Sequence, residues 1–301
     1  MILSVSESDD SLVSGLTREH MDAALIEISR QLLVRGAKLE YGGHLGSEGY
    51  TRALFDMARS YNEMSGVQPA ERIINDVGWP LPFDKIPKDR AKYNQQATFR
   101  RIPRPEGVED IEPVTFVEEP DFFPASSPER RYAWARGMTA MRKFQAEESG
   151  AIARIVIGGK VGPTVTATPE GGKAEKWYMG RIPGVVEEVL MSLRAGQPVF
   201  LVGAFGGAAK AVCDLLEGRE RSDFTWDFQK QAPHAEAMRE IYAKCGEEWE
   251  NYEELSQYLE EVSLSGLSDS NQLSIDENHE LMTSRNQTRI IELLLKGIIL
   301  L

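Results

Sequence analysis

Three times in this chain a short apolar run ends in a pair of glycines or a glycine-rich bend: LEYGGHLGSEGY at 39–50, RIVIGGKVG at 154–162 and FLVGAFGGAAK at 200–210. Stretches of helical period alternate with these runs. Strand, glycine turn and helix in repetition predict βα units around a mostly parallel sheet. In such a sheet every turn that follows a strand falls on one carboxyl edge, where open α/β sheets bind their ligands. Glycine suits that edge because it adopts positive φ in a sharp turn and lets backbone N–H groups approach a phosphate closely. The next helix adds its unpaired N–H groups and the positive end of its dipole. Each turn alone fits a structural bend equally well. The third contains GAFGGA, which is not GxGxxG, and none carries the Lys-Ser/Thr of a Walker loop. Phosphate cradle and packing turn therefore stand side by side as readings.

The rest of the chain follows the same alternation. ILSVS reads as the first strand, and Thr17 caps a helix with Met21, Leu25, Ile28 and Leu32 on one face. KLEYGG is a second strand, a helix from about Tyr50 carries Leu54, Met57 and Tyr61, and RIINDV is a third strand. Between Gly78 and Pro128 the pattern dissolves into an irregular insert with one strand candidate at Val114–Val117. A helix at about Pro128–Glu148, the strand IARIVIGG, the loop VGPTVTATPEGGKAE, a helix from Gly184, the strand PVFLV and a final βα helix complete the sheet region. Beyond Gly218 the sequence is helical and acidic. The expected architecture is an α/β, Rossmann-like, mostly parallel sheet flanked by helices over residues 1–218, with an insert at about 78–128 and a helical C-terminal extension over 219–301. In the tail, Ile291, Leu294, Leu295 and Ile298 form an apolar stripe widened by Ile290, Leu293 and Leu301, which predicts a homo-oligomer.

Composition narrows the function. A formal net charge of -13 with no extended basic stripe excludes tracking of a nucleic-acid backbone. RRIPR at 100–104 is the best basic patch and reads as solvated surface. Cys213 and Cys245, with His20, His44, His234 and His279, lack metal-ligand spacing, so no metal is expected. No apolar run has bilayer length and ILSVS lacks a basic flank, which predicts a cytoplasmic protein off the membrane. The absence of GxSxG removes an α/β-hydrolase. SESDDSL after the first strand, in place of GxGxxG, removes an ordinary NAD(P)-dependent oxidoreductase.

The most chemical segment is WYMGRIPGVVEEVLMSL at 177–193. Pro183 and Gly184 open a helix whose first turn carries Glu187 and Glu188, with the cation Arg181 just before it. Acidic residues in a first helical turn stabilise the dipole without any further role. At the ligand edge, however, one such carboxylate can hold ribose hydroxyls, or stabilise the oxocarbenium-like charge that forms when an N-glycosidic bond breaks. Glu188 and Glu187 are thus the catalytic candidates. Candidate ligand contacts are Ser6, Gly42, Gly43, Gly158, Gly159, Lys160, Arg181, Gly184, Gly203, Gly206 and Gly207, and Trp177 and Tyr178 could stack on a base.

The order IVIGGK, GRIPGVVEE, PVFLVGAFGGAAKAV resembles the SLOG superfamily, Rossmann-like domains that include the Lonely-Guy cytokinin phosphoribohydrolases and the DNA-processing protein of natural competence. Those hydrolases carry PGGxGTxxE, in which glycines bind phosphate and the glutamate serves the ribose. The resemblance places Glu188 on that glutamate and Gly184 on the last glycine. The double glycine comes earlier, as Gly158 and Gly159, with about two dozen residues inserted, and Val185 replaces the threonine. These departures resemble divergent SLOG clusters found beside TIR and Sir2-type domains in bacterial defence systems, as do ILSVSESDD, YGGHLGSEGYT and GLSDSNQLSIDENHEL. The resemblance implies a pocket for a nucleotide or an NAD-derived ligand such as ADP-ribose, held as ligand or substrate and not as a cofactor. It also implies a TIR or Sir2-type defence partner. Two functions follow: an N-glycosidase acting on NAD or a nucleotide, and a non-catalytic sensor that passes binding to an effector or to its own oligomer.

Overall fold

A computed structural model of the chain describes residues 1–8, 15–43, 50–65, 72–81, 97–108, 127–167 and 172–301. Six strands form one sheet: β1 (Ile2–Ser6), β2 (Leu39–Gly42), β3 (Ile73–Gly78), β4 (Ala97–Ile102), β5 (Arg154–Gly158) and β8 (Val199–Val202). Their spatial order is β4-β3-β2-β1-β5-β8, and every pairing is parallel. From β1 the chain runs outward through β2, β3 and β4, then returns to place β5 on the other side of β1. The strand order reverses at the β1/β5 pair, where Ser6 lies in register with Gly158. Such reversal points open a crevice at the carboxyl edge.

One face of the sheet is covered by α1 (Arg18–Val34), α2 (Tyr50–Ser65), α9 (Ile275–Thr283) and α10 (Gln287–Leu300). Here Leu3, Val5, Ile155, Ile157, Phe200 and Val202 meet Leu25, Ile28, Leu54, Leu281, Ile290 and Leu293. The predicted α1 face holds: Met21, Leu25, Ile28 and Leu32 are buried. The other face carries α3 (Pro128–Glu147), α4 (Gly184–Arg194), α5 (Gly207–Leu216) and α8 (Tyr252–Asn271), with the short α6 (Trp226–Gln229) and α7 (Ala235–Lys244). The C-terminal helices therefore contribute to both core layers. Among the described residues no helix is long and apolar enough to cross a membrane.

Four local readings are corrected. Inside the expected irregular insert, Ala97–Ile102 forms the edge strand β4, paired with β3; the candidate at 114–117 lies outside the described residues. The expected loop at 161–175 contains an antiparallel hairpin, β6 (Thr164–Ala167) and β7 (Lys173–Lys176). The stretch 100–104 is solvated only in part, with Arg101 exposed but Arg100 and Arg104 engaged within the fold. Arg100 lies 2.6 Å from buried Glu40 and 2.7 Å from buried Asp76, with its guanidinium over Phe144, while Arg104 stacks on Trp79. In α10 the buried face is Ile290, Leu293, Leu294 and Gly297, so the expected stripe at 291, 294, 295 and 298 is rotated by about one position and largely turned inward.

Candidate functional site at the strand-order reversal

The glycine turns after β5 and β8 meet at the carboxyl edge beside β1. Gly159, at φ +98, donates its N–H to the Ser6 carbonyl (2.8 Å), and its own carbonyl accepts the Ala208 N–H (2.9 Å). A Cβ on Gly159 would fall 2.8 Å from Val185 and 2.9 Å from Ala208, the opening residues of α4 and α5. Two helix N-termini thus close on one glycine, a spacing no side chain could permit. Gly207, at φ +61, is fixed by the same contact, since its Cβ would run into the Gly159 carbonyl and the buried Ser8. Neither α4, entered through Pro183, nor α5, entered through Gly206, has a side-chain cap. Ser127, Thr225, Asn251, Ser274 and Asn286, by contrast, cap α3, α6, α8, α9 and α10. With the Ala208 N–H taken by the Gly159 carbonyl, what α4 and α5 bring to this edge is the positive ends of their dipoles.

The two glutamates of α4 have different surroundings. Glu187 is buried and accepts from Thr139 Oγ1 (2.7 Å), Arg142 Nη1 (2.5 Å) and Arg181 Nε (3.1 Å). Burial opposes its ionisation, but Arg142, Arg181 and Thr139 overcome that and hold the carboxyl below the usual range. Glu188 is reached at longer range, by Arg142 Nε on Oε1 (3.3 Å) and Arg154 Nη1 on Oε2 (3.4 Å), and its side chain keeps 15% exposure. A carboxylate has about four acceptor positions. Glu187 has committed three to strong donors, whereas Glu188 retains capacity on both oxygens and contact with solvent.

The other candidates separate by location. Ser6, Gly158, Gly159, Gly206 and Gly207 come together at the β1/β5 reversal. Gly42 and Gly43 lie at the same edge one strand over; Gly42 leaves room for Met141 and Gln145 of α3, and the Gly43 carbonyl accepts from Asn75 Nδ2. Gly184 leaves room for the Arg142 guanidinium. Lys160 Nζ donates to Thr164 Oγ1 at the hairpin base (3.1 Å). Gly203 packs against the Met282 carbonyl and Cys213 Sγ, and Arg181 joins Glu187 to Glu250. Tyr178 donates to Gln229 Oε1 (2.6 Å), while Trp177 packs on Phe228. His44 lies outside the described residues.

Thr139, Arg142 and Arg154 went unnoticed in the sequence. Arg154 did leave a signal, a charge inside the buried strand IARIVIGG. Arg142 left none, because its pairing with Glu187 and Glu188 depends on how α3 packs on α4.

A family model described as SLOG cluster2 matches residues 1–281. The chain belongs to the SLOG cluster2 family. The match extends beyond the sheet into α9, so the SLOG cluster2 unit includes most of the C-terminal helices. Comparison with curated proteins gives no match. Family and α/β fold agree with the resemblance carried by IVIGGK, GRIPGVVEE and the glycine turn after β8.

Proposed function

We propose that this chain binds a nucleotide or NAD-derived ligand at the β1/β5 reversal, with phosphate over the glycine turns at 158–159 and 206–207 and ribose hydroxyls on Glu188. The observation that carries this reading is the contrast between the glutamates. Only Glu188 combines partial exposure with unused acceptor capacity, and it sits in the second turn of a helix whose uncapped N-terminus meets that of α5. Arg142 and Arg154 flank it, and a carboxylate accepts hydrogen bonds from the hydroxyls of a diol.

Cleavage of the N-glycosidic bond is the reaction such a carboxylate could support, by stabilising positive charge at the anomeric carbon. The sensor reading is favoured by Glu187, whose oxygens are occupied, so it is not a second group free to handle water or a leaving base. A defence setting beside TIR or Sir2-type partners belongs to the proposal as well, and rests on the resemblance alone. Incubation with NAD, ADP-ribose and nucleoside monophosphates, followed both by heat of binding and by release of free base, separates these readings. Binding with base release supports the glycosidase, binding without it the sensor, and no binding contradicts both.

A further inference from the structure

Arg154 opens β5, a central strand covered on both faces, yet it is fully buried. Strands in that position read as continuous apolar runs, and taking a guanidinium out of water costs several kcal/mol before any contact offsets it. The offset here is incomplete. Nε donates to Ser192 Oγ of α4 (2.7 Å), Nη1 donates to Ser4 Oγ of β1 (2.7 Å), and the same Nη1 lies 3.4 Å from Glu188 Oε2. Nη2 has no hydrogen-bond partner among the described residues. A residue that breaks the local rule and is not fully compensated marks a place where function competes with stability.

The contacts define what Arg154 does. Ser192 Oγ donates onward to Gln197 Oε1 (2.6 Å), which fixes that hydroxyl as an acceptor for the guanidinium. Ser4 belongs to the strand next to β5 at the reversal. The guanidinium, which starts from the amino end of β5, is thus locked between β1, β5 and α4, and the one carboxylate it reaches is Glu188. Arg142 holds the other oxygen of Glu188 but is also engaged with Glu187. Each Glu188 oxygen is therefore oriented by a different element, through contacts long enough to leave it able to accept another donor.

We propose that Arg154 is a positioning residue: anchored by Ser4 and Ser192, it sets the Glu188 carboxylate in the orientation that receives the vicinal hydroxyls of the bound ribose. The proposal rests on the nucleotide-binding reading above. It implies that preference for a ribose diol, and not affinity for phosphate, depends on Arg154.

The test is calorimetric titration of AMP and 2′,3′-dideoxy-AMP into the wild type, Arg154→Met, Arg154→Lys and Ser4→Ala. The wild type is expected to favour AMP at least tenfold. Arg154→Met should bring that preference close to one, with affinity for the dideoxy compound unchanged within about twofold. Arg154→Lys, which cannot span Ser192, Ser4 and Glu188 together, should do the same. Ser4→Ala keeps the guanidinium but removes one anchor, and should reduce the preference in a protein with an intact core if the larger changes fail to fold. A folded variant that keeps the tenfold preference overturns the role of Arg154 and leaves the binding reading standing. Equal loss of both ligands also overturns it, because the residue then acts on the fold or on phosphate. A wild type that binds both compounds alike, or binds neither, overturns this proposal, and one that also fails to bind NAD and ADP-ribose overturns the binding reading with it.

Discussion

The Gly159 carbonyl occupies the space that a Cβ on Gly207 would need, and it accepts the N–H of the next residue, Ala208. The turns after β5 and β8 are thus joined backbone to backbone. Gly207→Ala combines a positive-φ penalty with a backbone clash and is expected to cost about 2–4 kcal/mol. Gly207→Val should fail to fold, so it cannot isolate an effect on phosphate. Urea unfolding of Gly207→Ala checks this, and wild-type stability would contradict the assigned contact.

Glu187 and Glu188 are adjacent in sequence and should respond oppositely to neutralisation. Glu187→Gln leaves Arg142 and Arg181 facing a neutral amide in a buried site and should cost about 3–5 kcal/mol. Glu188→Gln loses only long contacts at a partly exposed position and should cost on the order of 1 kcal/mol. Thermal melts of the two variants give the comparison, and equal losses would remove the distinction on which the site rests.

The pH dependence of stability is set in part by Glu40. Burial, then the neighbouring Asp76, raise its carboxyl from 4.5 to about 7, against the opposing pull of Arg100. Between those values the folded chain holds a proton that the unfolded chain has released. This contribution is therefore complete below about pH 4.5 and is lost as pH rises through 7. Glu187 behaves in the opposite sense: its lowered pKa gives stability above the ordinary carboxylate range that disappears as acid protonates it. Glu40→Gln should raise stability at pH 8 by roughly 1–3 kcal/mol and give little gain at pH 5. Melting curves at both pH values decide, and a gain independent of pH would contradict the assignment.

Much of this fold was legible because central parallel strands read as unbroken apolar runs. ILSV, IVI and VFLV announce β1, β5 and β8, and the turns after them carry the glycines. The edge strand ATFRRI and the hairpin strands TVTA and KAEK were not legible, since strands exposed on one side or both carry polar residues at alternate or all positions. Glu187 and Glu188 were legible as candidates, but their separate roles were not. What distinguishes them are Thr139, Arg142 and Arg154, brought in from α3 and β5 by tertiary packing alone.

Assembly gives a further prediction. Much of the apolar stripe of α10 is used within the chain, with Leu293 and Leu294 buried, while Ile299, Leu300 and Leu301 are 74%, 56% and 45% exposed. The proposed homo-oligomer rests on that exposed end. Light scattering at micromolar concentration should give a multiple of the chain mass, and a monomer mass with and without nucleotide would contradict it.

Calorimetric titration of ADP-ribose and AMP into the wild type and Glu188→Gln tests the central claim most directly. The account predicts saturable binding to the wild type and at least tenfold weaker binding to the variant, about 1.4 kcal/mol, with the fold retained. Absence of binding to the wild type, or equal affinity in the folded variant, would contradict it.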